Sequence, residues 1–175
     1  MDLSEIQNTI LDRRIKGIPG TSEPFPLKEL KNKNWNILKE DMPMPLMVLK
    51  QKNYLHNLKT FSYYLEKHNL DIDPHGKTTM APQIFSEQIK HGAWGITAGA
   101  INQIQVMFDF GINKVLLANQ LLGKSHLETI ASYINQNKNF SFYCFVDSVD
   151  QFLNIKKNLG DHNLISPINL LPEIG

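Results

Sequence analysis

Apolar residues between positions 45 and 172 fall into two alternating patterns. Six short, nearly continuous apolar runs suit buried strands: "LMVL" from Leu46, "LDI" from Leu70, "WGITA" from Trp94, "VLLA" from Val115, "FYCFV" from Phe142 and "INLL" from Ile168. Between them the spacing changes to three and four, as one face of a helix requires. The helical sets are Leu55, Leu58, Ser62 and Leu65; Ala81, Ile84, Phe85 and Ile89; Ile101, Ile104 and Phe108; Leu127, Ile130, Ala131 and Ile134; and Phe152, Ile155 and Leu159. Successive strand starts lie 21 to 27 residues apart, which is the length of one repeated βα unit.

Apolar strands joined by helical crossovers predict a parallel sheet covered on both faces, either doubly wound or a (β/α) barrel. A complete eight-unit barrel typically takes about 250 residues. Six strands that stop at "LLPEIG" therefore predict, if a barrel, a partial one. Upstream, Leu3, Ile6 and Ile10 predict an amphipathic helix over residues 1–17, with a cap at Ser4 and a stop near Gly17 and Pro19. Pro24, Pro26 and the Trp35 anchor lead to Pro43 and Pro45, so residues 1–44 read as a helical extension and 45–175 as the main domain.

Composition narrows the class. The 175 residues are 42% hydrophobic and 20% charged, ordinary values for a globular protein. Eighteen basic against 17 acidic residues leave a net charge of +1 and no basic block, so no nucleic-acid partner is expected. No run approaches the ~18 apolar residues of a membrane span, and the N-terminus lacks a signal-peptide core. The expected location is the cytoplasm. The single cysteine, Cys144, alternates within "FYCFV" and is expected in the core. His56, His68, His91, His126 and His162 show no ligand spacing, so no metal site is expected within the chain.

In either architecture, ligands sit beyond the carboxyl ends of the strands. Two strand-to-helix turns there carry Gly-Lys followed by a hydroxyl residue. "ANQLLGKS" has Ala118 where a P-loop has its first glycine, and its leucines suit packing rather than a phosphate cradle. A helix cap at Ser125 with a solvated Lys124 is the preferred reading, and a nucleotide binder a remote alternative. In "PHGKTT", Pro74 suits a strand end, Gly76 a turn without a side chain, Thr78 or Thr79 a helix cap and Pro82 the first helical turn. Lys77 is then presented to the ligand face as a cation for an anion, as a Schiff-base amine, or as a solvated turn lysine. The amine role needs a neutral lysine, and an unperturbed pKa of ~10.4 leaves about one in 2,500 neutral at pH 7.

Longer stretches carry more. "NWNILKEDMPMPLMVL", "PHGKTTMAPQIF", "GAWGIT", "VLLANQLLG" and "FVDS", in this order, resemble the pyridoxal-phosphate enzymes of the D-serine deaminase and D-threonine aldolase group, with wording most similar to the amino-acid deaminase-like members. The resemblance runs from about residue 34 to residue 175 and corresponds to roughly the first half of such an enzyme. It implies a partial barrel of the alanine racemase N-terminal type (fold type III), with about six parallel strands. It also implies pyridoxal 5'-phosphate held by Lys77 as an aldimine, with His75, Thr97 and Asn119 as further cofactor contacts, although capping explains Thr97 and Asn119 equally well. The activity implied is β-elimination with deamination, or retro-aldol cleavage, of a D-amino acid.

Departures accompany the match. Asp73 stands where many relatives have arginine, and Thr79 or Met80 displaces their second histidine. The phosphate cup and the divalent metal site of the group lie largely in C-terminal parts without counterpart here. A non-catalytic truncated remnant is therefore the competing reading. Asp147 could orient site residues or cap the helix from Val149. An incomplete barrel exposes apolar strand faces and an unpaired edge, so dimerisation is expected.

Overall fold

The computed structural model describes residues 1–160 and 162–174. By internal packing the chain divides into two units, Asp2–Asn57 and Leu58 onward together with Met1.

The first unit is built on short elements. Helix α1 is Ser4–Asn8 and ends at Thr9, whose backbone is already extended. Strand β1, Ile10–Leu11, then pairs antiparallel with β2, Phe25–Pro26. The expected helix over 1–17 is thus limited to one turn, because Leu11 is drawn into a small core with Ile18 and Phe25 that a continuous helix would not reach. Trp35 packs edge-on to Phe25 at 5.8 Å, the anchoring expected of it. The run "LMVL" is not a strand. It has no ladder partner, Met47 and Leu49 are exposed, and the chain passes directly into helix α2, Gln51–His68, which runs on into the second unit.

The second unit holds the repeated βα pattern. Helix α3 is Pro82–Lys90, β3 Ile96–Ala98, α4 Ile101–Asp109, β4 Lys114–Gln120, α5 Lys124–Gln136, β5 Ser141–Val146, α6 Val149–Leu159 and β6 Asn169–Pro172. The four strands form one parallel sheet in the order β3-β4-β5-β6. "LDI" does not itself form a strand but leads into an extended segment, 72–75, that lies along the free edge of β3. There the Trp94 and Thr97 amides donate to the Ile72 and Pro74 carbonyl oxygens at 2.8 and 2.9 Å, and His75 bridges Thr97. Four of the six expected apolar runs are therefore strands of the sheet.

Sequential strand order with right-handed crossovers places every crossover helix on the same face. Burial agrees: Ile96, Ala98, Val115, Leu117, Phe142 and Cys144 pack with Phe85, Ile104, Met107, Leu127, Ile130, Ile134 and Ile155 in one core. The alternate residues Leu116, Tyr143, Phe145 and Leu171 stay partly or fully exposed. The expectation of helices on both faces is corrected by this one-sided winding, which is that of a (β/α) barrel rather than of a doubly wound sheet. The sheet remains an open arc among the described residues. Burial pushes the Cys144 thiol up to about 11, which makes it an inert core residue.

Because Phe142 is fully buried at the centre of this core, Phe142→Ala should cost about 3–5 kcal/mol of stability, read from its urea unfolding midpoint.

Candidate functional site

The carboxyl ends of the parallel strands carry most of the residues singled out from the sequence. Lys77 follows the 72–75 segment in a turn closed by the Met80 amide donating to the Gly76 carbonyl oxygen at 2.9 Å. Its side chain is exposed, and its stem passes over Gly99, where an added methyl would lie 3.4 Å from Lys77 Cδ. The first glycine of the motif is there for packing. A methyl on Gly76 would come within 2.7 Å of Met107, 2.8 Å of Ile96 and 2.9 Å of Phe85, so the backbone beside Lys77 is seated directly on the core.

The cap expected at Thr78 or Thr79 lies instead at Ala81, which has no side-chain hydrogen bond, while Pro82 occupies the first helical position as expected. The reason lies in Met80, whose left-handed backbone (φ 43°) extends the turn before α3 begins. At the second Gly-Lys pair the cap is Gly123 (φ 85°), so Ser125 lies inside α5 and is not the cap. Lys124 is exposed and pairs with Glu128 at 3.7 Å.

His75 is exposed at the strand end and bridges β3. Thr97 is buried, and its hydroxyl donates to the Asp73 carbonyl oxygen at 2.9 Å, fastening the lysine-bearing segment to β3. Asn119 is exposed near the end of β4, and its Oδ1 accepts from the Gln120 amide at 2.9 Å. Asp147 does not cap α6; Ser148 does, accepting from the Gln151 amide.

Two residues at this edge were not anticipated. Gln103 Oε1 accepts from the Gly99 amide at 2.8 Å, a bond made by the third residue of α4 reaching back past the helix start. That spacing is legible in the sequence. Gln120 Nε2 donates to Asp147 at 3.0 Å and to Glu173 at 3.4 Å, linking the ends of β4, β5 and β6. A register shift between Leu117 and Gln120 in the β4–β5 pairing brings it there, and nothing local in the sequence announces such a shift.

Arrangement and winding together resemble known enzymes. A solved D-threonine aldolase from Filomicrobium marinum superposes with a TM-score of 0.70 and 26% identity, over 77% of this chain and 35% of that one. Two variants of D-threo-3-hydroxyaspartate dehydratase superpose with TM-scores of 0.66 and 0.62 at 19% and 18% identity, each over 75% of this chain. The resemblance to the D-threonine aldolase group holds. In sequence, a D-threonine aldolase from an Arthrobacter species is 25% identical over 83 residues, 47% of this chain and 22% of that protein. No protein-family model matches. The chain thus spans about a third of the length of the solved structures that share its fold.

Asp73 replaces an expected arginine at the base of this segment. Both of its carboxyl oxygens are buried without a hydrogen-bond partner among the described residues. Burial pushes the carboxyl from 3.8 up to about 7, with a smaller opposing pull from the Thr97 hydroxyl.

Gly76→Ala should destabilise the chain by roughly 1–3 kcal/mol, measured by thermal or urea unfolding, because the backbone next to Lys77 has nowhere to move. A second expectation concerns pH. The folded chain binds the Asp73 proton more tightly than the unfolded one, so stability falls as pH rises from about 4 to about 7. Asp73→Asn should flatten that slope and gain stability relative to the parent near pH 8. Equal slopes in urea titrations of the two chains would remove the burial argument.

Proposed function

We propose that this chain is a pyridoxal-phosphate enzyme, or a segment of one, that acts on D-amino acids by β-elimination with deamination or by retro-aldol cleavage, with Lys77 as its reactive amine. One observation carries the reading: Lys77 stands at the carboxyl edge of a parallel, one-sidedly wound sheet, beside a core-seated Gly76, in a fold shared with a D-threonine aldolase.

The residues fit the cofactor in part. An exposed primary amine on a short, well-anchored turn is what an aldehyde requires, and Gly99 leaves room for the lysine stem to lie over the end of β3. Near it stand an imidazole, a hydroxyl and an amide, from His75, Thr97 and Asn119. The phosphate contacts and the divalent metal implied by the resemblance are not assigned to residues of this chain. When bound, the cofactor supplies an electron sink that makes loss of a group from the substrate Cα accessible.

The chain's own contribution is positional. Lys77 Nζ captures the aldehyde carbon and, once exchanged for the substrate amine, takes the proton from Cα. Thr97 holds the strand that presents it, and the Gly76 packing limits sideways movement. His75 and Asn119 lie where they can donate or accept hydrogen bonds to a ligand at this edge. The substrate belongs to the small D-amino acids, and a cytoplasmic location and pairing of two copies belong to the same proposal. No helix among the described residues is long and apolar enough to cross a membrane.

Incubation with pyridoxal phosphate, borohydride reduction and peptide mass mapping should place the adduct on Lys77, and Lys77→Ala should lose it. Adducts scattered over surface lysines would sink the assignment. Release of ammonia or glycine from D-serine or D-threonine then shows turnover, whereas labelling of Lys77 without release identifies a cofactor-binding segment that is not itself an enzyme.

A further inference from the structure

On the open face of the sheet, two residues before His75 on the same extended segment, lies a cavity of about 290 Å³. Trp94, Leu116, Tyr143 and Leu171 line it, together with Asp73 and the exposed Asp71. Trp94 and Tyr143 meet edge to face, with ring centres 4.9 Å apart. The wall is therefore largely apolar and aromatic, and its charge is negative.

Asp73 is the unusual member. Neither carboxyl oxygen touches solvent or a hydrogen-bond donor among the described residues. The adjacent Thr97 hydroxyl is committed to the Asp73 main-chain carbonyl oxygen. Lys114 lies over the Trp94 ring at 4.8 Å and forms no ion pair with Asp73. A carboxyl without water or donors is costly, and a donor entering beside it recovers that cost, a cation more than a neutral group. An anion would meet Asp71 and Asp73. A purely apolar molecule would leave the carboxyl unpaired, while aromatic walls add attraction for a cation.

We propose that this cavity binds a small organic cation, a primary ammonium on a compact apolar or aromatic stem, with Asp73 as the anchor and Trp94, Leu116 and Tyr143 as the walls. The site is separate from the Lys77 amine and needs no cofactor, so it stands or falls independently of the proposed reaction. Charge complementarity selects the ammonium, and the apolar wall selects the stem.

The probe is benzylamine, titrated into the full chain at one fixed, mildly alkaline pH and followed by calorimetry and by the indole proton signal of Trp94. Benzyl alcohol serves as the neutral counterpart. The amine should bind at least about tenfold tighter than the alcohol, and Asp73→Asn should erase that preference. Leu116→Phe keeps the carboxyl but fills the cavity, and should weaken both probes. Equal binding of amine and alcohol to the parent, absence of saturable amine binding, or parent-like amine affinity in Leu116→Phe overturns the proposal. So does an amine preference that survives in Asp73→Asn.

Discussion

The contact between the Gly76 backbone and the side chains of Phe85, Ile96 and Met107 is the constraint on which the rest of the site depends. These three residues come from α3, β3 and α4, so one glycine is held by two helices and a strand at once. The main-chain bonds from Thr97 and Gly76 complete the attachment on the β3 side. A lysine following such a residue inherits its position from the core rather than from its own contacts. This explains how Lys77 can be exposed and still well directed.

The same core explains the asymmetry of the sheet. All four crossover helices bury their apolar stripes against Ile96, Val115, Leu117, Phe142 and neighbouring residues, which leaves the opposite face to Leu116, Tyr143, Phe145 and Leu171. A sheet wound on one side is curved, and its concave face is where polar groups can be held without neighbours. Asp73 occupies that face. Its unpaired carboxyl, together with the aromatic pair Trp94 and Tyr143, distinguishes this region chemically from the strand-end edge, where Gln120 joins Asp147 and Glu173.

Much of this was legible in the chain. Periodicity located α3 to α6 and β3 to β6, because each of these elements buries one face against the same core and its pattern is set by that burial. "LMVL" misled, because an apolar run has the composition of a strand whether or not a partner strand is present to take its hydrogen bonds. The caps at Ala81, Gly123 and Ser148 displaced the hydroxyl and carboxylate residues expected nearby, since the turn conformations at Met80 and Gly123 decide where each helix can begin.

By itself, then, the sequence determined the element types, their order, the parallel winding and the presence of a single core-seated lysine turn, because those follow from local periodicity and from the steric needs of glycine and proline. Tertiary structure alone decided that one face of the sheet is left open, that Gln120 reaches two acidic residues, and that the Asp73 carboxyl lies without a donor. Each of these depends on register between strands distant in sequence, a quantity that no local pattern of residues encodes.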